Sequence, residues 1–278
     1  MKIFNTKAAL QQYLLQIRQS GQTIGLVPTM GALHQGHLSL LRQSQQFCDI
    51  TVCSIFVNPT QFNNPDDLEK YPRPIEQDIQ KLEAAGCDVL FNPEVSEMYA
   101  GNEQWHIGLG QLEHLLEGEF RPGHYQGVTQ VVYKLFDIVK PDVAFFGQKD
   151  YQQFLVISKM VQLKQLPVKL QMCPIEREPE GLAMSSRNIH LKPADREHAL
   201  VLSKALKFVV DNYNGSNLQQ VKAQASEMIR NEPGVKLDYF EMADGETLLP
   251  ATDQTLGIVA LTAAEVGTTR LIDNMIIR

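Results

Sequence analysis

The sequence predicts an α/β protein, with a parallel sheet wrapped by helices in its first part and a smaller α+β domain after it. Three observations carry this. Several short strands are apolar throughout instead of alternating, as expected of strands covered on both faces. Helical patterns of about 10 to 15 residues separate them, the length that joins parallel strands. After about residue 175 the order becomes two helices followed by three strands. Residues 1–175 therefore read as a doubly wound, Rossmann-like domain, and residues 176–278 as the smaller one.

Each element has its own warrant. "TKAALQQYLLQIRQSG" sets Leu10, Tyr13, Leu14 and Ile17 on one helical face and ends at Gly21. "TIGLVP" is a short apolar strand; "PTMGALHQGH" turns out of it into a helix through about Phe47. "ITVCSIFVNP" is a β-branched strand stopped at Asn58-Pro59, "IEQDIQKLEAAG" a helix ending at Gly86, and "CDVLFNP" another strand. Then come "GVTQVVYKLFDIVK" (helix), "DVAFFG" (strand), "DYQQFLVISKMVQL" (helix) and "PVKLQMCPI" (strand). "EREPEGLAMSSRN" is polar, contains Pro179 and Gly181, and reads as a hinge or loop. Two helices follow, "PADREHALVLSKALKFVVDNY" and "NLQQVKAQASEMIRN", the second opened by Ser216 and Gln219 as a capping box. "KLDYFEMAD", "TLGIVALTAAEV" and "TRLIDNMIIR" are strands.

Bulk properties narrow the function. With 278 residues the chain can bury a large core, and 44% hydrophobic and 21% charged residues suit a globular protein in water. A net charge of −7 counts against a nucleic-acid or anionic-membrane surface, both of which need a basic patch. No apolar run approaches the roughly 20 residues of a membrane span. "MKIFNTKAAL" lacks the apolar segment and cleavage site of a signal peptide. Cys48, Cys53, Cys87 and Cys173 are scattered among apolar runs with no CxxC pair, so buried reduced thiols and a cytoplasmic location are expected.

Neither GxGxxG after a strand nor GxxxxGK[ST] occurs, so the two common nucleotide fingerprints are missing. In doubly wound sheets ligands sit at the carboxyl ends of strands. Three loops directly follow strands: "PTMGALHQGH", "NPTQF" and "GQKD". His34 and His37 stand where strand turns into helix. With unpaired N–H groups in the first helical turn, the helix dipole, and Gly31 and Gly36 allowing close approach, they suit an anion. A packed turn explains the same residues equally well, while a zinc pair lacks a third protein ligand. Ser185, Ser186 and Arg187 supply two hydroxyls and a guanidinium for a pyrophosphate, or make an ordinary surface loop. Lys149 offers a point charge for a phosphoryl group, with Asp150 as a plain helix-start acid in the alternative reading. Gln61 can donate to and accept from a carboxylate or hydroxyl.

Together the segments carry a resemblance. "PTMGALHQGHLSLL", "FVNPTQF", "FFGQKDYQQ" and "GLAMSSRN", with "YPR" at 71–73, "RPGHYQGV" at 121–128 and "GTTRLIDN" at 267–274, are similar to the motifs of the pantoate–β-alanine ligases. The likeness spans nearly the whole chain; HxGH alone is shared with class I aminoacyl-tRNA synthetases and nucleotidyltransferases. It implies ATP-dependent joining of (R)-pantoate to β-alanine through pantoyl adenylate, giving pantothenate, AMP and pyrophosphate. It implies ATP contacts from Met30, Gly31, Ala32, Leu33, His34, Gln35, Gly36 and His37, from Gly147, Gln148, Lys149 and Asp150, and from Met184, Ser185, Ser186 and Arg187. His37 would be the proton donor, with His34 and Lys149 beside it in catalysis. Gln61 and Gln153 would hold pantoate, Gln61 also near β-alanine. Mg²⁺ would be held mainly by ATP phosphates, with no protein metal site, and the protein would be a homodimer through its first domain. Glu176 departs from the family, which more often has an apolar residue there, and Arg121 and His124 lie in a matching segment without an assigned role. Three rivals remain: a related nucleotidyltransferase moving AMP or CMP, a non-catalytic nucleotide-sensing module, and a zinc hydrolase.

Overall fold

The computed structural model describes residues 1–63, 65–99, 101 and 103–278. Along the first part come β1 (Lys2–Phe4), α1 (Lys7–Gln19), β2 (Ile24–Thr29), α2 (Gln35–Phe47) and β3 (Ile50–Ile55). Next are α3 (Pro65–Lys70), α4 (Ile75–Ala84), β4 (Val89–Phe91), α5 (Val95–Met98) and α6 (Glu117–Phe120). The series closes with α7 (His124–Val139), β5 (Val143–Gly147), α8 (Tyr151–Lys164) and β6 (Lys169–Cys173). The strands form one sheet in the order β1-β4-β3-β2-β5-β6, every pairing parallel.

Strand periodicity explains why both faces are covered. Leu26, Val52, Phe91, Ala144 and Phe146 point to one side, where they join Leu10 and Leu14 of α1, Val131 and Leu135 of α7, and Ile157 and Met160 of α8. Their neighbours Val27, Cys53, Leu90 and Phe145 point to the other side, against Leu38 and Leu41 of α2 and Leu82 of α4. The continuous apolar runs are thus two alternating half-patterns, each with its own core. All four cysteines are buried and free. Burial pushes the thiols of Cys48, Cys87 and Cys173 up to about 11, and that of Cys53 well above the usual range.

The sheet order reverses between β2 and β5, which is where ligands sit in this architecture. The β2–β5 ladder ends at Leu26, while β2 stays paired with β3 as far as Thr29. Pro28, which has no N–H to give, falls in that one-sided stretch.

The last strands, β7 (Val235–Asp244), β8 (Ile258–Val266) and β9 (Thr269–Ile276), form an antiparallel sheet, order β7-β8-β9. Helices α9 (Pro193–Asn212) and α10 (Leu218–Arg230) pack on it through Leu202, Leu206, Val221 and Ile229. The chain divides into two compact units, Met1–Gly147 with Gln153–Cys173, and Gln148–Gln152 with Pro174–Arg278. The short turn after β5 therefore goes with the second unit.

Three local differences from the sequence reading have physical causes. Strand β1 has only three residues, too few for a readable pattern, and exists by pairing with β4. The capping box at Ser216 and Gln219 does not form. Ser216 bonds Asn214 instead, Asn217 is the cap residue, and Asp253 accepts the Leu218 N–H. Lastly, the polar stretch from Glu176 is not a bare loop. It folds back on itself through an Arg177–Ala183 bridge and a Met184 N–H bond to the Glu176 carbonyl, 3.0 Å.

Candidate active site

The turn after β2 is built by its own residues and one remote carboxylate. Gly31 and Ala32 both have positive φ, 84° and 49°. For alanine this conformation costs on the order of 1–2 kcal/mol. Asp78 of α4 offsets that: its Oδ2 accepts the Ala32 N–H at 2.7 Å and its Oδ1 the Leu33 N–H at 2.8 Å. Lys81 completes the clamp by donating to the Leu33 carbonyl at 2.7 Å.

Helix α2 then starts with a capping box made of histidines. His34 Nδ1 accepts the Gly36 N–H at 3.1 Å, and the His34 N–H donates to His37 Nδ1 at 3.3 Å. The rings lie 4.1 Å apart, centroid to centroid. A neutral imidazole has one donor and one acceptor, so both rings carry their proton on Nε2. The expectation that first-turn amides point outward to an anion is therefore corrected in part. The first-turn amides of Gly36 and His37 already bond the His34 ring and the His34 carbonyl, the Ala32 and Leu33 amides just before the helix bond Asp78 of α4, and each histidine ring carries its N–H on Nε2.

Gln61 lies in a 3-10 turn, Pro59–Gln61, just after β3. Its Nε2 donates to Met30 Sδ at 3.1 Å, which joins the ends of β2 and β3. Asn58 fixes its orientation: Nδ2 donates to Gln61 Oε1 at 3.2 Å and to the Gly127 carbonyl at 3.1 Å. Asn58 Oδ1 is itself held by Tyr99 Oη at 2.6 Å and by Thr60. Burial raises the Tyr99 phenol above its usual range, so it stays a donor. Gly127 lets α7 lie against this turn, since a Cβ there would collide with the Thr60 carbonyl oxygen. Arg121 donates to His124 Nε2 at 3.2 Å; His124 must then donate from Nδ1, which it does to the Gln61 carbonyl at 2.8 Å. Arg121 and His124 thus hold the Gln61 backbone. Gln153 is half-buried in the opening turn of α8.

In the second unit the turn Gln148–Asp150 carries Lys149, whose Nζ lies 3.4 Å from Asp150 Oδ1. Gly147, the end of β5, leads into it. Met184, Ser185 and Ser186 are half-buried and Arg187 is exposed; Ser185 caps the 3-10 turn Ser186–His190 by accepting the Arg187 N–H at 3.2 Å. Strand β9 packs against both turns. Asn274 donates to the carbonyls of Gln148 and Lys149, and Asp273 pairs with Arg177.

Within the first unit, then, Met30, His34, His37 and Gln61 stand at the ends of the adjacent strands β2 and β3. Within the second, Lys149 and Ser185 to Arg187 stand beside β9. Sequence reading missed Asn58, Asp78, Tyr99, Gly127, Asp273 and Asn274. Two signals were available: Asn58 sits three residues before Gln61, and Asp273-Asn274 puts two polar residues inside an apolar strand.

A sequence model described as "Pantoate-beta-alanine ligase" matches residues 2–276. The chain belongs to the pantoate–β-alanine ligase family. It is 45% identical over 280 residues to a pantothenate synthetase of Koribacter versatilis, covering 100% of this chain and 96% of that one. It is 45% identical over 279 residues to one of Thermotoga petrophila, covering 100% of both. Among solved structures, the pantothenate synthetase of Thermus thermophilus superposes with a TM-score of 0.94 at 40% identity, covering 100% of this chain and 99% of that one. The Francisella tularensis pantoate-beta-alanine ligase, complexed with "Beta-gamma ATP and Beta-alanine", gives 0.82 at 36% identity, covering 99% and 97%. As a member of this family the protein is a ligase. Among the described residues no helix is long and apolar enough to cross a membrane, and no three His, Cys, Asp or Glu side chains come together to hold a metal.

Proposed function

We propose that the protein condenses (R)-pantoate with β-alanine at the expense of ATP, through a pantoyl adenylate. In the first step a pantoate carboxylate oxygen attacks the α-phosphorus, forming the acyl phosphate bond and releasing pyrophosphate. In the second, the β-alanine amine attacks the acyl carbon and AMP leaves, giving pantothenate. The observation that carries this reading is the histidine capping box. It fixes both rings as Nε2–H donors at the carboxyl end of β2, beside the sheet's switch point. An anion attacking a polyanion needs donors to offset repulsion and stabilise charge developing on phosphate oxygens. His37 and His34 fill that role from one turn, with Met30, Gly31, Ala32, Leu33, Gln35 and Gly36 shaping it. Lys149, with Gly147, Gln148 and Asp150, and the loop of Met184, Ser185, Ser186 and Arg187 are the remaining ATP-binding groups.

Gln61 and Gln153 bind pantoate. Because Asn58 bonds the Gln61 oxygen and Met30 takes one N–H, the second N–H of that amide is the donor suited to a carboxylate or hydroxyl oxygen. The set is mainly imidazole, ammonium, hydroxyl and guanidinium, which suits an anion, and its one carboxylate, Asp150, lies beside Lys149 and is not part of a metal-ligand cluster among the described residues. Magnesium therefore enters as part of the substrate, bound to the ATP phosphates, whose charge it neutralises. The likeness to a relative solved with "Beta-gamma ATP and Beta-alanine" supports the same substrates here. In this reading the protein works as a cytoplasmic homodimer, a state that sedimentation would check. We expect labelled pyrophosphate to exchange into ATP only with pantoate present, and AMP to be released only when β-alanine is added as well. Exchange indifferent to pantoate would sink the assignment.

A further inference from the structure

Asn274 is 2% exposed in the middle of β9, a costly place for an amide unless every bond is used. Its Nδ2 donates to the Gln148 and Lys149 carbonyls, both at 2.9 Å, and its Oδ1 accepts from Gln148 Nε2 at 3.1 Å. One side chain thus spans the turn that carries Lys149. Its neighbour Asp273, 5% exposed, faces the other way along the network. Asp273 Oδ2 and Oδ1 accept from Arg177 Nη1 and Nη2 at 2.7 and 2.9 Å, and Oδ1 also accepts the Asn274 N–H at 2.8 Å. Burial raises the Asp273 carboxyl above its usual range, opposed by Arg177. Arg177 in turn donates to the Gly181 carbonyl at 3.0 Å, and its backbone bridges to Ala183, directly before Met184 and the Ser-Ser-Arg run.

We infer that Asp273 and Asn274 are positioning residues that couple the Lys149 turn to the Ser185–Ser186–Arg187 loop through one rigid strand. A guanidinium fork on a carboxylate and an amide bridging two carbonyls both fix direction as well as distance. Their adjacency on β9 means that neither turn shifts without straining the other's anchor. Both anchors lie wholly inside the second unit. The catalytic consequence rests on the proposed use of Lys149 and Arg187 toward ATP; the mechanical coupling does not.

Two measurements test the two parts separately. Amide hydrogen exchange requires no turnover. Asn274→Ala and Asp273→Asn are each expected to raise exchange at both 148–150 and 177–187, and a rise confined to the segment nearest each substitution would overturn the coupling. In pantoate-dependent pyrophosphate exchange, Asn274→Ala should lower the rate about 10- to 100-fold, with the pantoate KM unchanged. In a Lys149→Ala background the same substitution should add little, because both act through one group. Wild-type rates for Asn274→Ala, or a loss that multiplies fully with that of Lys149→Ala, would refute the positioning role. If Asn274→Ala fails to fold, Asn274→Ser keeps one donor and should give the same pattern at smaller amplitude. An inactive wild-type enzyme counts against the proposed reaction alone, since hydrogen exchange still decides the coupling.

Discussion

His34 and Lys149 follow neighbouring parallel strands, β2 and β5, yet they are held in opposite ways. The histidine rings are fixed by partners two and three residues away, in a device the segment builds for itself. The lysine turn is fixed by Asn274, 125 and 126 positions along the chain. The first arrangement makes a compact motif whose geometry exists once its helix does. The second makes a catalytic candidate depend on the folding of another sheet. Local holding ties chemistry to helix stability, whereas remote holding anchors the lysine turn through its backbone carbonyls and leaves the ammonium only its contact with Asp150 among the bonds described.

The largest effects should separate these two modes. His37→Ala and Lys149→Ala are each expected to lower adenylation about 10²- to 10³-fold, the usual cost of a donor aimed at developing charge. Only His37→Ala should also lower stability, by about 1 kcal/mol, because it removes the acceptor for the His34 N–H. Urea midpoints beside pyrophosphate-exchange rates check this; equal stability losses would break the comparison.

Gly127→Ala probes an intermediate case, since α7 supports the Gln61 turn from 69 positions beyond Asn58. In an unobstructed helix the change stabilises by about 1 kcal/mol. Here the added Cβ meets the Thr60 carbonyl, so a net loss of about 1–3 kcal/mol and a raised pantoate KM are expected. A stabilised variant with normal pantoate KM would mean that the turn does not rest on α7. The smallest effect belongs to Tyr99→Phe, which removes one bond to Asn58. About 0.5–1.5 kcal/mol corresponds to a two- to tenfold rise in pantoate KM with kcat preserved. A fall in kcat at constant KM would reassign Tyr99 from orienting Gln61 to the chemical step.

The same division governs what the sequence made legible. Strands and helices with long patterns could be read because their partners are layers, not individual residues: any apolar neighbour satisfies Val27 or Leu41. The histidine pair was visible for a similar reason, as its partners lie within the quoted turn. Its tautomers were not, because they depend on which nitrogen meets which amide. Asp78 serves a turn 45 positions earlier, and Asp273 meets Arg177 across 96, so no local spacing announces either. Where sequence did misdirect, at Ser216 and Gln219, the cause was competition: Asn214 takes both the N–H and the hydroxyl of Ser216, and Asp253 accepts the Leu218 N–H at the helix start.

The Gly31–Ala32 turn has one further consequence. Two successive residues with positive φ aim neighbouring amides at a single point, the shape of a small anion nest, and the chain fills that nest with its own Asp78 carboxylate. The turn thus has a resident counter-ion and keeps its form with no ligand present, so little reorganisation is left for a binding event to drive. Lys81 stands 3.9 Å from the same carboxylate, so the clamp as a whole adds no net charge to the turn. The clamp therefore supplies a ready-made shape without long-range attraction of its own, and discrimination falls to directional donors at short range. A site organised this way selects by fit more than by charge.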